Sequence, residues 1–217
     1  MNSKEIKPIL IQGAMDIEIE WLLKEAINLE KITINNKDFY KGYINEIPVV
    51  ISKTDIGTLN TAIATMAAIM EFKPLIIINQ GIAGAHISDL HINDIVIGEK
   101  VANINTFDTE VKAFGEGSNS FDWSGHDWFP LSIDGNEDLI EVAKKIEYKN
   151  GKVYCGVIGS GDIWNKEVDR INWIHEKYET LCEDMESIAT YTVCDNFNIP
   201  CIGIRIISNN EIIGGGV

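Results

Sequence analysis

Apolar positions along the chain switch repeatedly between two spacings. Short branched runs read as buried strands: "PILIQGAM", "PLIIINQGIAGA", "DIVIGEKV", "KVYCGVIGSGD" and "PCIGIRIIS". Between them, apolar residues recur at helical spacing. "MDIEIEWLLKEAINL" carries Met15, Ile19, Leu22, Leu23, Ala26 and Ile27 on one face, and "GTLNTAIATMAAIMEF" opens on Gly57 and Thr58. "NEDLIEVAKKIEYK", "NKEVDRINWIHEKY" and "EDMESIATYTVCDNF" complete the predicted helices, the last with Met185, Ile188, Ala189, Thr192, Val193 and Phe197 on one face. "FYKGYINEIPVVISKT" alternates about Asn45-Glu46 and predicts a hairpin. Residues 103–133 are aromatic, glycine-containing and poorly periodic, which predicts a long loop. Strands alternating with helices predict an α/β protein, a three-layer sandwich with helices flanking a central mixed sheet. No repeat, low-complexity stretch or linker divides it, so residues 1–217 are expected to form one domain.

In such folds ligands bind outside the carboxyl ends of the strands. Five ends offer chemistry: Gly13-Ala14-Met15 leading to Glu18, Gln80 to Gly84, Ser160-Gly161-Asp162, a helix start at Glu183-Asp184-Met185-Glu186, and Ser208-Asn209-Asn210. Arg205 is the most informative residue. Its neighbours Ile202, Ile204, Ile206 and Ile207 place it in a buried strand, where an unpaired guanidinium is costly. It therefore needs a carboxylate from another strand end, and Glu18 or Glu186 would serve. A purely structural ion pair is the plainer alternative. Glu18 and Glu186, each near a helix start, also read as ordinary helix-dipole acids. Gly57-Thr58 reads as a helix cap rather than a phosphate loop, because no GK[ST] follows. His86, His91, His126 and His175 lack metal spacing, so no metal and no cofactor is expected.

Composition narrows the partners. The chain has 217 residues, 45% hydrophobic and 24% charged, with a net charge of -15. Such an acidic surface repels phosphate backbones and anionic lipid, so neither nucleic acid nor membrane is expected as partner. An uncharged nucleoside stays compatible. Cys155, Cys182, Cys194 and Cys201 show no CxxC spacing, and the start has no signal-peptide layout, which together predict a cytoplasmic protein with reduced thiols. No apolar run approaches the roughly 20 residues of a membrane span.

Five short motifs, "GAMDIE", "NQGIAGA", "SGD", "DMES" and "RIISN", stand in the order and near the spacing found in the purine-nucleoside phosphorylase and nucleosidase superfamily. The chain most resembles the methylthioadenosine/S-adenosylhomocysteine nucleosidases, over nearly its whole length. The resemblance implies hydrolysis of the N-glycosidic bond of a purine nucleoside or thionucleoside. By matching position, Glu18 is the general base for the attacking water and Arg205 the group that orients it. Met185 and Glu186 are the ribose clamp, Ala83 and Gly84 part of the base-binding wall, and Trp164 the aromatic over the purine. Family members form homodimers or larger rings, and Phe107, Phe114 or Trp123 would reach a neighbour's pocket.

Three departures from that pattern matter. Asn209 stands where the nucleosidases have an aspartic acid that gives a proton to N7. An amide shifts preference toward 6-oxopurines, or slows an adenine-releasing enzyme, unless Glu211 or Asp162 supplies the acid. Ile82 replaces a hydroxyl at the phosphate or water site, and no phosphate loop is present near the amino end, which favours hydrolysis over phosphorolysis. Nine residues follow Ser208, where the family continues into a long final helix, so the resemblance implies either a truncated sequence or an abbreviated relative. The alternatives are a phosphorylase and a nucleoside-binding relative with little or no activity.

Overall fold

The computed structural model describes residues 6–109, 111–117 and 132–214. The expectations on His126 and Trp123 lie outside the described residues. Strand β1 (Ile9–Gly13) leads into helix α1 (Asp16–Glu25). A three-stranded meander follows: β2 (Ile27–Ile34), β3 (Lys37–Ile44) and β4 (Ile47–Lys53). Its two turns, Asn35-Asn36 and Asn45-Glu46, all have positive φ, the two-residue hairpin geometry whose twist matches the strands. Helix α2 (Thr58–Phe72) crosses to β5 (Ile76–Ala85), and β6 (Ile95–Asn103) comes next. The rest is β7 (Ser132–Asp134), α3 (Glu137–Ala143), β8 (Val153–Ser160), α4 (Val168–Tyr178), β9 (Thr180–Asp184), α5 (Ser187–Phe197) and β10 (Cys201–Asn209).

The expected hairpin and central strands are present, and the sheet is mixed, as expected. Four elements differ from the sequence reading: β7 starts inside the predicted loop, the helix predicted over 136–149 stops at Ala143, and β2 and β9 overlap predicted helices. The first predicted helix ends at Glu25, and "INLEKITI" continues as β2. Ile27 and Leu29 fit the helical spacing, but they are exposed, so no core contact held them to it. The predicted helix start at Glu183 is instead the end of β9, and α5 begins at Ser187. The two carboxylates Glu183 and Asp184 masked a five-residue strand.

The sheet runs β10-β6-β8-β9-β5-β1-β4-β3-β2, and β5 also pairs with β10. Strand β5 therefore has three neighbours. Ile76 to Asn79 pair with β1, Ile77 to Gly84 with β10, and Gly84 and Ala85 bend across to β9. The five strands β5, β10, β6, β8 and β9 thus close on themselves. Closure brings the ends of β5, β9 and β10 together. The main core, including Leu10, Phe39, Val50, Ile77, Val96, Ile158 and Tyr191, lies between the sheet and helices α2 and α5. Tyr191 is fully buried, and its hydroxyl donates to the Gly98 carbonyl (2.9 Å) and accepts from the Gly203 amide (2.8 Å). A Cβ at Gly98 would sit 3.1 Å from that hydroxyl, so the glycine makes room for the pin. No helix among the described residues is long and apolar enough to cross a membrane.

Candidate active site

Where the strand ends converge, a cavity of about 260 Å³ opens. Ala14, Met15 and Glu18 come from the β1–α1 junction, and Ile82, Ala83 and Gly84 from β5. Ile163 and Trp164 follow β8, Glu183 to Glu186 join β9 to α5, and Ser208 and Asn209 end β10; Ile56 stands before α2. All the expected site residues except Arg205 line this one cavity.

Glu18 occupies the third position of α1 and folds back over the helix start. Its Oε2 accepts from the amides of Ala14 (2.6 Å) and Met15 (2.9 Å), and its Oε1 accepts from the Ile82 amide (3.0 Å). The first two contacts cap its own helix, the plainer role foreseen for an acid there. The third does not belong to the helix, because it crosses to β5 and fixes the carboxylate on the cavity wall. Gly81 makes the approach possible, since a Cβ there would lie 2.6 Å from Oε1.

Arg205 is 1% exposed and lies behind the wall. Its pairing with Glu18 or Glu186 is corrected: the carboxylate it holds is Asp184, with both Nε and Nη2 2.5 Å from Oδ2. Its other donors reach the Asn79 carbonyl (2.9 Å), the Asn79 side chain, the Ser187 hydroxyl (2.9 Å) and the Ile204 carbonyl (3.0 Å). Burial opposes its charge, but Asp184, with Glu186 and Glu18 farther off, raises its pKa above the usual value. Arg205 therefore does not orient Glu18, whose carboxylate is held by backbone amides. It anchors the turn from β9 into α5. Asp184 completes that turn by accepting from the amides of Glu186 (3.2 Å) and Ser187 (3.1 Å) and from the Ser187 hydroxyl (2.5 Å). The signal for Asp184 was present in the sequence, as an acid three residues before a helical serine.

Glu186 is fixed by that turn. Its Oε1 accepts from the Gly57 amide at 2.9 Å, at the start of α2, and its Oε2 from the Met185 amide at 3.3 Å. Burial, reinforced by the charge of Asp184, pushes its pKa up to about 7. The helix cap foreseen at Gly57-Thr58 takes a second carboxylate as well. Asp162 accepts from the Thr58 amide (2.7 Å) and hydroxyl (2.5 Å). The anions held at this helix start are thus the chain's own. Because Asp162 is spent there, it does not replace the acid lost at Asn209.

The segment after β8 is tied at both ends. Asp162 holds it to α2, and Asn165 donates through its backbone amide (2.7 Å) and side chain (2.5 Å) to Glu183. Glu183 is 5% exposed and stands 3.1 Å from His86 Nε2, while His86 Nδ1 meets the Thr180 hydroxyl at 2.7 Å. Trp164 sits between these ties at the cavity mouth, 62% exposed, with Lys166 Nζ 4.5 Å from its ring centroid. Glu183 carried no role in the sequence reading. Its work is visible only once β9 is recognised as a strand.

At the other wall, Asn209 accepts a hydrogen bond from the Ser208 hydroxyl at Oδ1 (2.9 Å) and donates from Nδ2 to Glu211 (3.3 Å). A Cβ at Gly84 would lie 3.2 Å from Nδ2, so the glycine gives the amide its place. Asn210 points the other way. Its side chain donates to the carbonyls of Ile87 (2.9 Å) and Leu90 (2.8 Å) and accepts from the Ile212 amide (3.0 Å), fixing the turn that carries Glu211.

Fold and site together define an α/β protein whose ligand cavity, rich in carboxylates, is assembled from the ends of a partly closed mixed sheet. The chain belongs to the phosphorylase superfamily, whose profile matches residues 8–216. It is 30% identical over 204 residues to the 5'-methylthioadenosine/S-adenosylhomocysteine nucleosidase of a Geobacillus species, covering 93% of this chain and 84% of that one. The nucleosidase of the same name from Staphylococcus aureus is 30% identical over 201 residues, 92% of this chain and 85% of that one. Among solved structures, the Neisseria meningitidis nucleosidase in complex with methylthio-immucillin-A superposes with a TM-score of 0.81 at 29% identity, covering 94% and 87% of the two chains. An aspartate-to-asparagine mutant of the Helicobacter pylori enzyme, with 5'-methylthioadenosine in its active site, gives 0.81 at 26% identity, covering 96% and 88%.

Proposed function

We propose that this chain hydrolyses the N-glycosidic bond of a purine nucleoside or thionucleoside of the methylthioadenosine/S-adenosylhomocysteine kind. The observation that carries the reading is Glu18, a carboxylate fixed by three backbone amides and facing a cavity that also holds Glu186 and Asn209. Glu18 takes a proton from water as its oxygen attacks C1′ of the sugar. Glu186 accepts a sugar hydroxyl, with Met185 packed beside it, and its charge favours the positive sugar that forms as the bond to the base breaks. Ala83, Gly84, Trp164 and Asn209 surround the base. Arg205 acts one layer back, by holding Asp184 and so the turn that bears Glu186. The likeness to nucleosidases, at 30% identity over most of the chain, supports the same reaction.

Hydrolysis is favoured over phosphorolysis by the cavity's charge. Among the described residues that line it there is no lysine or arginine, and the nearby guanidinium is spent on Asp184. A phosphate dianion needs such contacts. Asn209 is the observation that favours the second reading, a nucleoside-binding relative of low activity. The deciding experiment incubates the protein with methylthioadenosine, S-adenosylhomocysteine, inosine and guanosine, with and without phosphate. Free base from at least one, at a rate indifferent to phosphate, is the expected result. Tight binding without turnover selects the second reading.

We also infer that the protein works as a homodimer in the cytoplasm. All four cysteines are unpaired thiols, three of them buried. Leu59, Ile63, Met66 and Met70 form an exposed apolar stripe along α2, next to Ile56 at the cavity mouth.

A further inference from the structure

Among the acids that line the cavity, none shares a partner with Asn209. Glu18 is bound to Ala14, Met15 and Ile82, Glu183 to Asn165, Asp184 to Arg205 and Ser187, and Glu186 to Gly57 and Met185. Behind Asn209 stands Glu211, which accepts from Nδ2, while the Ser208 hydroxyl, whose one proton lies within reach of both Asn209 Oδ1 (2.9 Å) and the Ala83 carbonyl (3.2 Å), has its shorter contact with Oδ1. These two contacts are not interchangeable. A carboxylate only accepts, so it selects the nitrogen end of the amide, and the hydroxyl is left to donate to the oxygen end. The flip of Asn209 is therefore set by its neighbours. Asn210 secures the arrangement by fixing the turn from which Glu211 projects.

We propose that Asn209, locked in one orientation by Ser208 and the positioning residue Glu211, meets the purine edge through hydrogen bonds alone, so that the base departs without a proton from the protein. The inference rests on the nucleosidase reading above. As C1′ gains the water oxygen, the C1′–N9 bond breaks and its electron pair stays on the purine. The water proton goes to Glu18 and on to solvent, and the purine anion takes its proton from solvent. Two consequences follow. The rate tracks how well the base carries negative charge, because no acid levels the difference between good and poor leaving groups. The locked amide also distinguishes a 6-amino from a 6-oxo purine, since one end of it donates and the other accepts.

The test compares a 5′-methylthio nucleoside of adenine with that of 6-chloropurine, whose ring carries the charge more readily. The 6-chloropurine compound is expected to react faster by about 10²-fold or more, the share an acid otherwise supplies. N209D, which brings a group able to give up a proton, is expected to shrink that ratio at least about tenfold. The double variant N209D/E211Q guards against repulsion between neighbouring carboxylates and is expected to shrink it likewise. E211A is expected to keep the leaving-group ratio, yet to narrow the preference between adenine and hypoxanthine nucleosides at least about threefold in kcat/KM, because the amide is free to flip. Equal rates for the two leaving groups in the wild type, or an unchanged ratio in both aspartate variants, overturn the proposal while leaving the nucleosidase reading intact. An unchanged base preference in E211A overturns the lock. Release of no base from either compound sinks the nucleosidase reading and this proposal with it.

Discussion

Glu186, Asp184 and Arg205 are ionisable side chains buried at or just behind the cavity wall, so each must be paired or shift its titration. Glu186, with a pKa near 7, lies above the 4.5 of an unfolded glutamate. Between those values the folded chain keeps a proton that the unfolded chain has lost, so its contribution to stability falls as pH rises from about 4.5 through 7. A gap of that size corresponds to about 3 kcal/mol. Urea unfolding at pH 5 and pH 8 should show that loss, and E186Q should flatten it; equal slopes in the two proteins would contradict the assignment. Activity runs the opposite way, because the ionised form accepts a sugar hydroxyl. The kcat/KM profile of the wild type should rise through an apparent pKa near 7, and E186Q should lose that limb. Arg205 and Asp184 form a different case. Removing one partner leaves the other charge buried, which costs about 3–5 kcal/mol. D184N should therefore lower the urea midpoint sharply, and R205K should lower it as well despite keeping the charge, since an ammonium cannot serve Asp184, Asn79 and Ser187 together. An R205M protein of near wild-type stability would show the pair to be dispensable. The sequence made the burial of Arg205 legible through its isoleucine neighbours, but not its partner, because pairing across a closed sheet depends on which strand ends meet.

At the level of elements, the most readable parts were those with one strong signal. The branched runs of β1, β5 and β10 and the Asn45-Glu46 turn each had one. Two of the strands that escaped, β2 and β9, had competing signals, whereas β7 is only three residues long. In β2, Ile27 and Leu29 extended a helical spacing onto an exposed edge; in β9, two acids looked like the start of a helix. Missing β9 had a cost at the site, because the end of that strand delivers Glu183 and Asp184 and fixes where Glu186 points. Gly81 in β5 lets the Glu18 carboxylate come close to the strand, where a Cβ would lie 2.6 Å from Oε1. G81A should consequently push that side chain off the Ile82 amide while leaving the strand paired with β10. We expect kcat to fall about 10²-fold, of the order lost by displacing a catalytic group by about an ångström, with the thermal midpoint nearly unchanged. Full activity in G81A would mean that Glu18 works from another position.

For the molecule as a whole, charge and apolar surface pull against each other. The net charge of -15 makes two copies repel. Yet α2 turns Leu59, Ile63, Met66 and Met70 outward, 43% to 74% exposed, while Thr61, Ala64, Thr65 and Ala68 face the core. In the homodimer proposed above, this stripe is buried against the same stripe of a second copy in a two-fold arrangement. Apolar burial is indifferent to salt, whereas repulsion at long range is screened over about 8 Å at physiological ionic strength. The dimer should therefore tighten as salt is added, the reverse of an association driven by opposite charges. Sedimentation at 50 and 500 mM salt measures this directly, and M66E should shift the protein to monomer at both. The mouth of the cavity lies beside the stripe through Ile56, so the monomeric variant should also bind nucleosides with raised KM. A wild-type protein that sediments as a monomer at micromolar concentration in both salts would leave the stripe without its partner and remove the dimer from the account of the site.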